Sequence, residues 1–378
     1  MIKVGITGQA GFVGTHLFNS IGLYPDKFQR IPFEDLYFKD ERKLKDFVRS
    51  CDAIVHLAAM NRHHDPDVIY QTNIALVKQL IKACEDTCST PHILFSSSTQ
   101  EERDNLYGKS KKIGRELLEE WALRNAGQFT GLIIPNVFGP FGNPYYNSVV
   151  ATFCHQITHN ETPKIELDGI INLIYVGELV TEIIEMIQKK SANEQKGVRD
   201  TAFIEFTATV KVSDLLSKLE KYKTNYFEKG MIPNLDIPFE RNLWNTFLCY
   251  LDHESFFPYH LKLNTDSRGS FVETVKLNSG GQVSFSTTVP GITRGNHYHT
   301  RKAERFAVIK GRARIELRRI GTEKVMSFEL EGSNPSFVDM PIWHTHNITN
   351  IGEEDLYTIF WINEHFNPED TDTYFEEV

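Results

Sequence analysis

The sequence predicts an α/β domain with a doubly wound parallel sheet, followed by an all-β domain. The chain has 378 residues, more than a single hydrophobic core usually serves. In its first half, short apolar segments of β type alternate with segments of helical periodicity, the pattern of a parallel sheet covered by helices on both faces. After about residue 247, short alternating segments separated by Gly, Pro, Asn and Asp follow, which is typical of an all-β domain. We therefore predict domains at residues 1–246 and 247–378.

The predicted elements follow the chain in order. The strands of the first domain are IKVGIT, DAIVHLAA, HILFSSS and TGLIIPNVFG, and its helices are GFVGTHLFNSIG, IYQTNIALVKQLIKACED and YGKSKKIGRELLEEWALRN. A helical stretch then runs from VSDLLSKLEKYK to about Leu251, with KGMIPNLDIPF as a proline-broken loop. The β segments of the second domain include GQVSFSTTV, RFAVIKGRARIELRRI, KVMSFEL, PSFVDMP and DLYTIFWINE.

Composition and charge exclude several classes of protein. Hydrophobic residues make up 40% and charged residues 24% of the chain, as in globular proteins, and no apolar run reaches the roughly 18 residues that cross a bilayer. A net charge of −9 without a long basic run argues against a nucleic-acid partner. Five scattered cysteines suit a reducing compartment, and the N-terminus lacks a signal-peptide pattern. We expect a cytoplasmic protein that acts on small molecules, without a membrane partner.

A glycine-rich turn predicts dinucleotide binding. Gly8, Gly11 and Gly14 stand where the first strand passes into the first helix. In such a turn the first glycine allows the tight bend, the second lets the backbone approach a pyrophosphate, and the third lets helix and strand pack closely. The helix N-terminus adds the positive end of a dipole. Position after a strand and before a helix makes this pattern specific.

The choice between NAD and NADP stays open at this point. Glu34 and Asp35 follow Gly14 by about twenty residues, where a carboxylate accepts a hydrogen bond from the ribose 2′-hydroxyl of NAD. Arg30 and Arg42 are close in the sequence, and a guanidinium instead matches the 2′-phosphate of NADP.

Tyr107 and Lys111 form a candidate acid/base pair. They are one helical turn apart in LYGKSKK, so both side chains project from the same face. A neighbouring ammonium stabilises a phenolate, which lets tyrosine exchange a proton with an alcohol or carbonyl. Ser98, with Ser97 as second choice, ends the preceding strand and is expected to hydrogen-bond the same substrate oxygen.

Histidine and glutamate spacing near the other end of the chain predicts a metal site. His297 and His299 point to the same side of a strand because side chains alternate, and Glu304 returns on the next strand. The later segment PIWHTHNITN supplies His346. About three or four such donors bind Zn²⁺ or another divalent cation.

The first domain resembles the extended short-chain dehydrogenases/reductases that act on nucleotide sugars. TGQAGFVG, HLAA, the SSS strand, YGKSK and NVFGP occur in the order seen there. The resemblance implies a Rossmann-like fold in which Tyr107 donates the proton, Lys111 binds the nicotinamide ribose and lowers the pKa of Tyr107, and Ser98 orients the carbonyl. It also implies substrate contacts from Asn136 and Asn147. The cofactor contacts that it implies come from Gly8, Gly11, Phe12, Val13, Gly14, Arg30, Leu57, Ala58 and Lys111.

The second domain resembles the cupin family. Its first motif is matched by Gly291, His297, His299, Glu304 and Gly311, and its second motif is kept in part by the segment that carries His346. The resemblance implies a jelly-roll barrel that holds a metal. His344 is an additional imidazole in this motif, expected to act as a base or to lie at the rim of the site.

The combination of both domains resembles the CapF family of capsular polysaccharide biosynthesis proteins, over essentially the whole chain. NPYYNSVVATF, PGITRGNHYH and DTYFEEV carry this likeness. It implies a homodimeric enzyme whose cupin domain epimerises C3 of a UDP-2-acetamido-2,6-dideoxy-4-keto-hexose and whose dehydrogenase domain reduces C4 with NADPH, NADH being the other option. The product lies on the route to UDP-N-acetyl-L-fucosamine in capsule or O-antigen biosynthesis.

Two other functions are compatible with parts of the sequence. The first domain is also typical of a UDP-sugar 4-epimerase that retains its own NAD, with the cupin as a dimerisation module. A cofactor-sensing or sugar-binding regulator needs only the glycine turn, and the presence of Tyr107 and Lys111 disfavours it.

Overall fold

The computed structural model describes residues 1–191, 199–267 and 269–378. They form two compact units, residues Met1–Thr152 with Gly169–Lys211, and residues Phe153–Asp168 with Val212–Val378. The helical stretch from Val212 to residue 246 therefore belongs to the second unit. The predicted division at 246/247 instead marks where the β segments of the sequence begin. That domain boundary stays a prediction.

The first unit is built on parallel strands. Its strands are β1 (Ile2–Thr7), β2 (Phe28–Ile31), β3 (Ala53–His56), β4 (His92–Ser98), β5 (Gln128–Ile134), β6 (Asn136–Phe138), β7 (Ile170–Tyr175), β8 (Arg199–Phe203) and β9 (Ala208–Lys211). Six of them form an all-parallel sheet in the order β2-β1-β3-β4-β5-β8. The remaining three form a small mixed sheet, β6-β7-β9. The predicted parallel sheet is thus confirmed.

Helices cover both faces of the six-stranded sheet. They are α1 (Phe12–Gly22), α2 (Glu41–Arg49), α3 (Pro66–Thr87), α4 (Leu106–Asn125) and α6 (Val176–Ser191), with 3-10 turns at Asp35–Lys39 and Thr99–Glu102. The residues of α5 (Val149–Thr158) are divided between the two units. One apolar cluster joins α1 and α6 to side chains such as Ile6 and Val55. A second apolar cluster joins α2, α3 and α4 to Ile54 and Ile93, strand residues that point to the opposite face of the sheet. The sheet is therefore doubly wound, as predicted.

Pro135 divides the segment that the sequence predicts as one strand. β5 ends at Ile134 in the six-stranded sheet, and β6 begins at Asn136 in the small sheet. Proline has no N–H to donate to a sheet ladder. The chain leaves the main sheet there, which places Asn136 at the carboxyl end of β5.

The second unit is mainly antiparallel. Its helices are α7 (Val212–Lys229), α8 (Pro238–Leu248) and α9 (His253–Phe256). Its strands are β10 (Met231–Ile232), β11 (Tyr259–His260), β12 (Leu263–Asp266), β13 (Gly269–Val272), β14 (Lys276–Leu277), β15 (Gln282–Thr288), β16 (Thr293–Tyr298), β17 (Glu304–Lys310), β18 (Arg312–Arg319), β19 (Val325–Glu331), β20 (Ser336–Met340), β21 (His344–Asn350), β22 (Leu356–Ile362) and β23 (Tyr374–Phe375). Two five-stranded sheets dominate, β11-β20-β17-β22-β15 and β19-β18-β21-β16-β23.

The region predicted as a proline-broken loop holds more structure than expected. It lies between α7 and α8, as predicted, but Met231 and Ile232 form the short parallel strand β10 with Lys276 and Leu277. Pro238 opens α8 at a position where its missing N–H costs no helical hydrogen bond.

Within the described ranges, every helix is too short or too polar to cross a membrane.

Candidate active site and metal cluster

A cavity of about 770 Å³ opens at the carboxyl ends of the parallel strands in the first unit. β1 pairs with β2 on one side and with β3 on the other, so the strand order reverses there. Open α/β sheets bind ligands at such a reversal. Most of the expected cofactor contacts line the cavity, namely Gly8, Gly11, Phe12, Val13, Gly14, Leu57, Ala58 and Lys111.

Two glycines in the turn are required by its geometry. Gly8 has φ +70, and a Cβ there would lie 2.9 Å from the main chain of Ala58. A Cβ on Gly14 would lie 2.2 Å from the carbonyl oxygen of Gly8. The turn therefore holds α1 directly against β1, with Phe12 and Val13 in its first turn facing the cavity, where amide groups favour an anion.

The structure does not bring Arg30 to this cavity. Its guanidinium lies 4.4 Å from the centre of the Phe18 ring and donates to the Phe18 carbonyl at 3.4 Å. Glu34 and Arg42 are also missing from the described lining, whereas Asp35 and Lys39 are part of it. Asp35 and Lys39 are the first and last residues of one 3-10 turn, which the sequence did not reveal.

Tyr107 and Lys111 both lie on α4 and line the cavity, as expected from their spacing. Asn105 caps this helix by accepting from the Gly108 N–H at 2.7 Å, which fixes the start of α4 next to the cavity. The Lys111 ammonium donates to the carbonyl oxygen of Ser96 at 2.8 Å and is 5.8 Å from the centre of the Tyr107 ring.

Burial raises the pKa of Tyr107 to about 12. The lowering of this pKa by Lys111, implied by the resemblance, stays a prediction. The ammonium is turned towards Ser96 rather than the phenol oxygen, and burial in turn lowers the pKa of Lys111 to about 8. Tyr107 therefore keeps its proton at neutral pH, which is the state a proton donor needs.

The serines at the end of β4 have different partners. Ser97 donates to the buried carboxylate of Glu101, which is held by Arg115 at 2.8 Å. Ser98 accepts from the N–H of Gln100 at 3.2 Å, which leaves its own hydroxyl proton for another acceptor. Both line the cavity, and this difference favours Ser98 as the residue that contacts a substrate oxygen.

Cations outnumber acids around the cavity. Among its described lining residues, Lys39, Arg62 and Lys111 carry positive charge and Asp35 alone carries negative charge. The sequence reasoning missed Lys39 and Arg62, because neither belongs to a recognisable motif. Their positions follow from a 3-10 turn and from the loop after β3, and both attract phosphate groups.

Asn136 and Asn147 line the same cavity. Asn136 donates to the Asn172 carbonyl at 3.2 Å, and Asn147 donates to the Asn61 carbonyl at 2.7 Å. The structure thus brings both expected substrate contacts to the cavity, and their roles stay predictions.

Four potential metal ligands converge in the second unit. One side-chain donor atom each from His297, His299, Glu304 and His346 lies within 4.8 Å of all the others. Measured from Oε2 of Glu304, the Nε2 atoms of His346, His299 and His297 lie at 3.0, 3.3 and 3.9 Å. The sequence prediction placed all four residues together, and the structure does so as well.

The donor chemistry of this cluster fits a divalent cation. Nδ1 of His299 faces the Asp372 carbonyl, and Nδ1 of His346 lies 3.2 Å from the His344 carbonyl. A ring nitrogen that donates to a carbonyl carries the proton, so Nε2 keeps its lone pair. Nε2 of His299 is buried without a hydrogen bond. Such an atom, beside a carboxylate and two further imidazoles, is an arrangement that Zn²⁺ and similar cations match.

The side chains of the cluster shift each other's pKa values. Although burial alone would raise the pKa of Glu304, its contacts with His299 and His346 hold that pKa well below the usual range. Burial alone would likewise lower the pKa of His299, and the Glu304 carboxylate raises it instead. Burial lowers the pKa of His297 to about 4. At neutral pH the cluster thus offers an ionised carboxylate and a neutral His297 imidazole, both forms that bind metals.

The cluster joins the two large sheets of the second unit. His297 is on β16 and His346 on β21, paired neighbours in one sheet, whereas Glu304 opens β17 in the other sheet. His299 follows the end of β16. The additional imidazole, His344, is buried with its ring 5.7 Å from that of His253, so it does not lie at a rim.

Comparison with known proteins identifies the family. Residues 4–199 match the NAD dependent epimerase/dehydratase family, and residues 264–374 match the polysaccharide biosynthesis C-terminal domain. The capsular polysaccharide assembling protein CapF from Staphylococcus aureus, a solved structure, is 34% identical with a TM-score of 0.63, and the match covers 100% of both chains. The chain belongs to the CapF family. The resemblance drawn from the sequence is therefore confirmed.

Two further proteins are similar to this chain. This CapF-family chain is 34% identical over 378 residues, 99% of its own length and 98% of the relative's, to a UDP-2-acetamido-2,6-beta-L-arabino-hexul-4-ose reductase of Pseudomonas aeruginosa. A solved structure of RMD from Pseudomonas aeruginosa with NADPH is 18% identical with a TM-score of 0.51, covering 59% of this chain and 83% of that one, and shows the fold alone. NAD(P) binding, predicted from the glycine turn, agrees with the matched family and the reductase relative.

Proposed function

We propose that this CapF-family protein is a bifunctional sugar-nucleotide enzyme. Its second unit epimerises C3 of a UDP-2-acetamido-2,6-dideoxy-4-keto-hexose, and its first unit reduces the C4 ketone with NADPH, towards UDP-N-acetyl-L-fucosamine. The observation that carries the proposal is the presence of two chemically complete sites in one chain. Tyr107 and Lys111 stand in the NAD(P) cavity, and four metal-type donors converge in a separate unit. We further propose that the enzyme is a cytoplasmic homodimer.

In the reductase site, the residues of the chain place and protonate the sugar oxygen. NADPH, when bound, supplies the hydride to C4. Tyr107 gives its proton to the oxygen that gains charge as the carbonyl is reduced, and its raised pKa keeps that proton available. Ser98 donates a hydrogen bond to the same oxygen, and Lys111 binds the nicotinamide ribose.

Charge favours a diphosphate-bearing substrate in this cavity. Arg62 lines the cavity in the loop after β3, next to Asn61, whose carbonyl accepts a hydrogen bond from Asn147. A guanidinium forms paired hydrogen bonds with phosphate oxygens. Asn136 and Asn147 then remain for the sugar and uracil groups, which present neutral donors and acceptors.

The metal cluster suits the epimerisation because a ketone at C4 acidifies the proton on C3. A divalent cation held by the cluster would act as a Lewis acid on the C4 oxygen. Inversion also requires a base that takes the C3 proton and a proton delivered back to the opposite face of the enolate, roles that we propose for groups other than the four ligands. Reduction at C4 afterwards removes the ketone, which makes the new configuration at C3 stable.

A UDP-sugar 4-epimerase with a structural second unit is the competing function. Such an enzyme takes the C4 hydride onto its own NAD, returns it to the opposite face of the same sugar, and should purify with tightly held cofactor. The proposed reductase instead oxidises one NADPH for each 4-keto sugar consumed. Interconversion of two UDP-sugars that differ only at C4, by protein that carries NAD and without consumption of NADPH, would support the epimerase.

NADPH is expected to be preferred over NADH by a modest margin. Lys39 is the described cation at the 3-10 turn that lines the cavity, whereas Arg30 is stacked on Phe18. Lys39→Ala should therefore lose the preference, measured as the ratio of kcat/KM for the two cofactors, and Arg30→Ala should keep it. A wild-type ratio in favour of NADH would contradict this expectation and point to Asp35 as the ribose ligand.

The pH dependence should report the ionisation of Lys111. Its pKa is lowered to about 8 by burial, so its ammonium is present below that pH and is lost above it. We expect kcat/KM for NADPH, which reports the free enzyme, to fall above about pH 8. Lys111→Arg, if active, should show no such fall because a guanidinium stays charged. A profile that is flat to pH 10 in the wild type would contradict this role of Lys111.

A further inference from the structure

The C-terminal segment carries a buried aspartate whose side chain has no role in the sites described above. Asp372 is 4% exposed and has φ +41, a backbone conformation uncommon for residues with a side chain. It lies just before the last strand, β23, as the first residue of the segment DTYFEEV. A buried carboxylate needs compensating donors.

Asp372 receives these donors from the loop that follows β16. Oδ1 accepts from the N–H of Thr300 at 3.1 Å and from its hydroxyl at 2.7 Å. Oδ2 accepts from the N–H groups of Arg301 and Lys302, each at 3.1 Å. Three successive amides therefore close around one carboxylate, a concave arrangement that binds anions.

The same residue also touches a metal-type ligand. The main-chain carbonyl of Asp372 accepts a hydrogen bond from Nδ1 of His299, and His299 directly precedes the three amides. The side chain and the carbonyl of one residue thus hold both the loop and the imidazole. Nδ1 keeps the proton, and Nε2 faces Glu304 at 3.3 Å.

Neighbouring contacts hold the rest of the C-terminal segment in place. Lys302 donates to the Thr371 carbonyl at 2.8 Å. β23 pairs with β16, with Phe375 opposite His297. The segment therefore reaches two of the ligands, one through a strand pairing and one through Asp372.

We propose that Asp372 is a positioning residue for the metal cluster. Its carboxylate anchors the C-terminal segment on residues 300–302, and this anchoring aims its carbonyl at Nδ1 of His299, so that Nε2 is the ligand. The partners of a metal-bound imidazole fix its tautomer and ring orientation in this way. The inference rests on the metal site proposed above and adds a residue to it.

The test compares Zn²⁺ affinity of the full-length protein and its variants by competition with a chromophoric chelator. Asp372→Asn tolerates positive φ but replaces one accepting oxygen with an amide group, and we expect it to weaken Zn²⁺ binding roughly 10-fold or more. Thr300→Val, which removes only the hydroxyl contact, should weaken it less and in the same direction. Asp370→Ala is the matched control, because Asp370 is exposed and its carboxylate accepts from the Arg301 guanidinium, away from the three amides; it should stay within about twofold.

A second readout separates positioning from general stability. Long-range ¹H–¹⁵N spectra of metal-free protein should show His299 protonated at Nδ1 in the wild type and in Asp370→Ala, and both tautomers in Asp372→Asn. Unchanged affinity and tautomer in Asp372→Asn, with a wild type that binds Zn²⁺, would overturn the role of Asp372 alone. A wild type that takes up no Zn²⁺ would overturn the metal site and this inference with it.

Discussion

Tyr107→Phe is expected to reduce NADPH oxidation by about 100-fold or more, the usual contribution of a general acid. The substitution removes the transferable proton and leaves the ring in the cavity, so the dissociation constant for NADPH should hardly change. The raised pKa of Tyr107 means that the wild type keeps this proton across the neutral range. Steady-state kinetics with a UDP-4-keto sugar and a fluorescence titration with NADPH measure the two quantities.

Tyr175→Phe is the matched control for this experiment. Tyr175 lies in β7 of the same unit, is partly buried, and is outside the described lining of the cavity. Its hydroxyl should be dispensable for reduction. Residual activity of Tyr107→Phe above about a tenth of the wild type would refute the assignment, because general acids contribute more than this.

His299→Ala is expected to abolish both metal binding and C3 exchange. It removes an imidazole whose Nε2 is buried beside Glu304, and the loss in Zn²⁺ affinity should exceed the roughly 10- to 100-fold that outer partners of a ligand contribute. Ligands that bind only the folded state raise the melting temperature, so Zn²⁺ should stabilise the wild type and not this variant. The exposed His365 provides the control, His365→Ala, which should bind Zn²⁺ normally.

The sequence predicted those parts of the fold and the sites that depend on local pattern. The glycine turn, the Tyr107–Lys111 spacing and the His297–His299 spacing are short patterns in which side-chain direction follows from periodicity. The doubly wound sheet follows from alternating elements in the same way. The metal cluster was also found, although it draws on two sheets and His299 lies just past the end of β16, because its ligands have a recognisable spacing.

Contacts between distant segments were not predictable from these patterns. Asp372 meets His299 across 73 residues, and although it opens the segment DTYFEEV, no spacing there marks it as a partner of His299. Lys39 reaches the cavity because residues 35–39 fold into a 3-10 turn, whereas Arg30 was expected there on proximity in the sequence alone. The burial that raises the pKa of Tyr107 and the bond between Lys111 and Ser96 likewise depend on tertiary packing and not on the spacing of the pair.

The central claim is that the two reactions belong to two separate sites. The measurement that tests it most directly is deuterium incorporation at C3 of a UDP-4-keto sugar in D₂O without NADPH, for the wild type, His299→Ala and Tyr107→Phe. The proposal predicts exchange in the wild type and in Tyr107→Phe, and none in His299→Ala. Exchange that requires Tyr107 but persists in His299→Ala would contradict it and make the second unit structural.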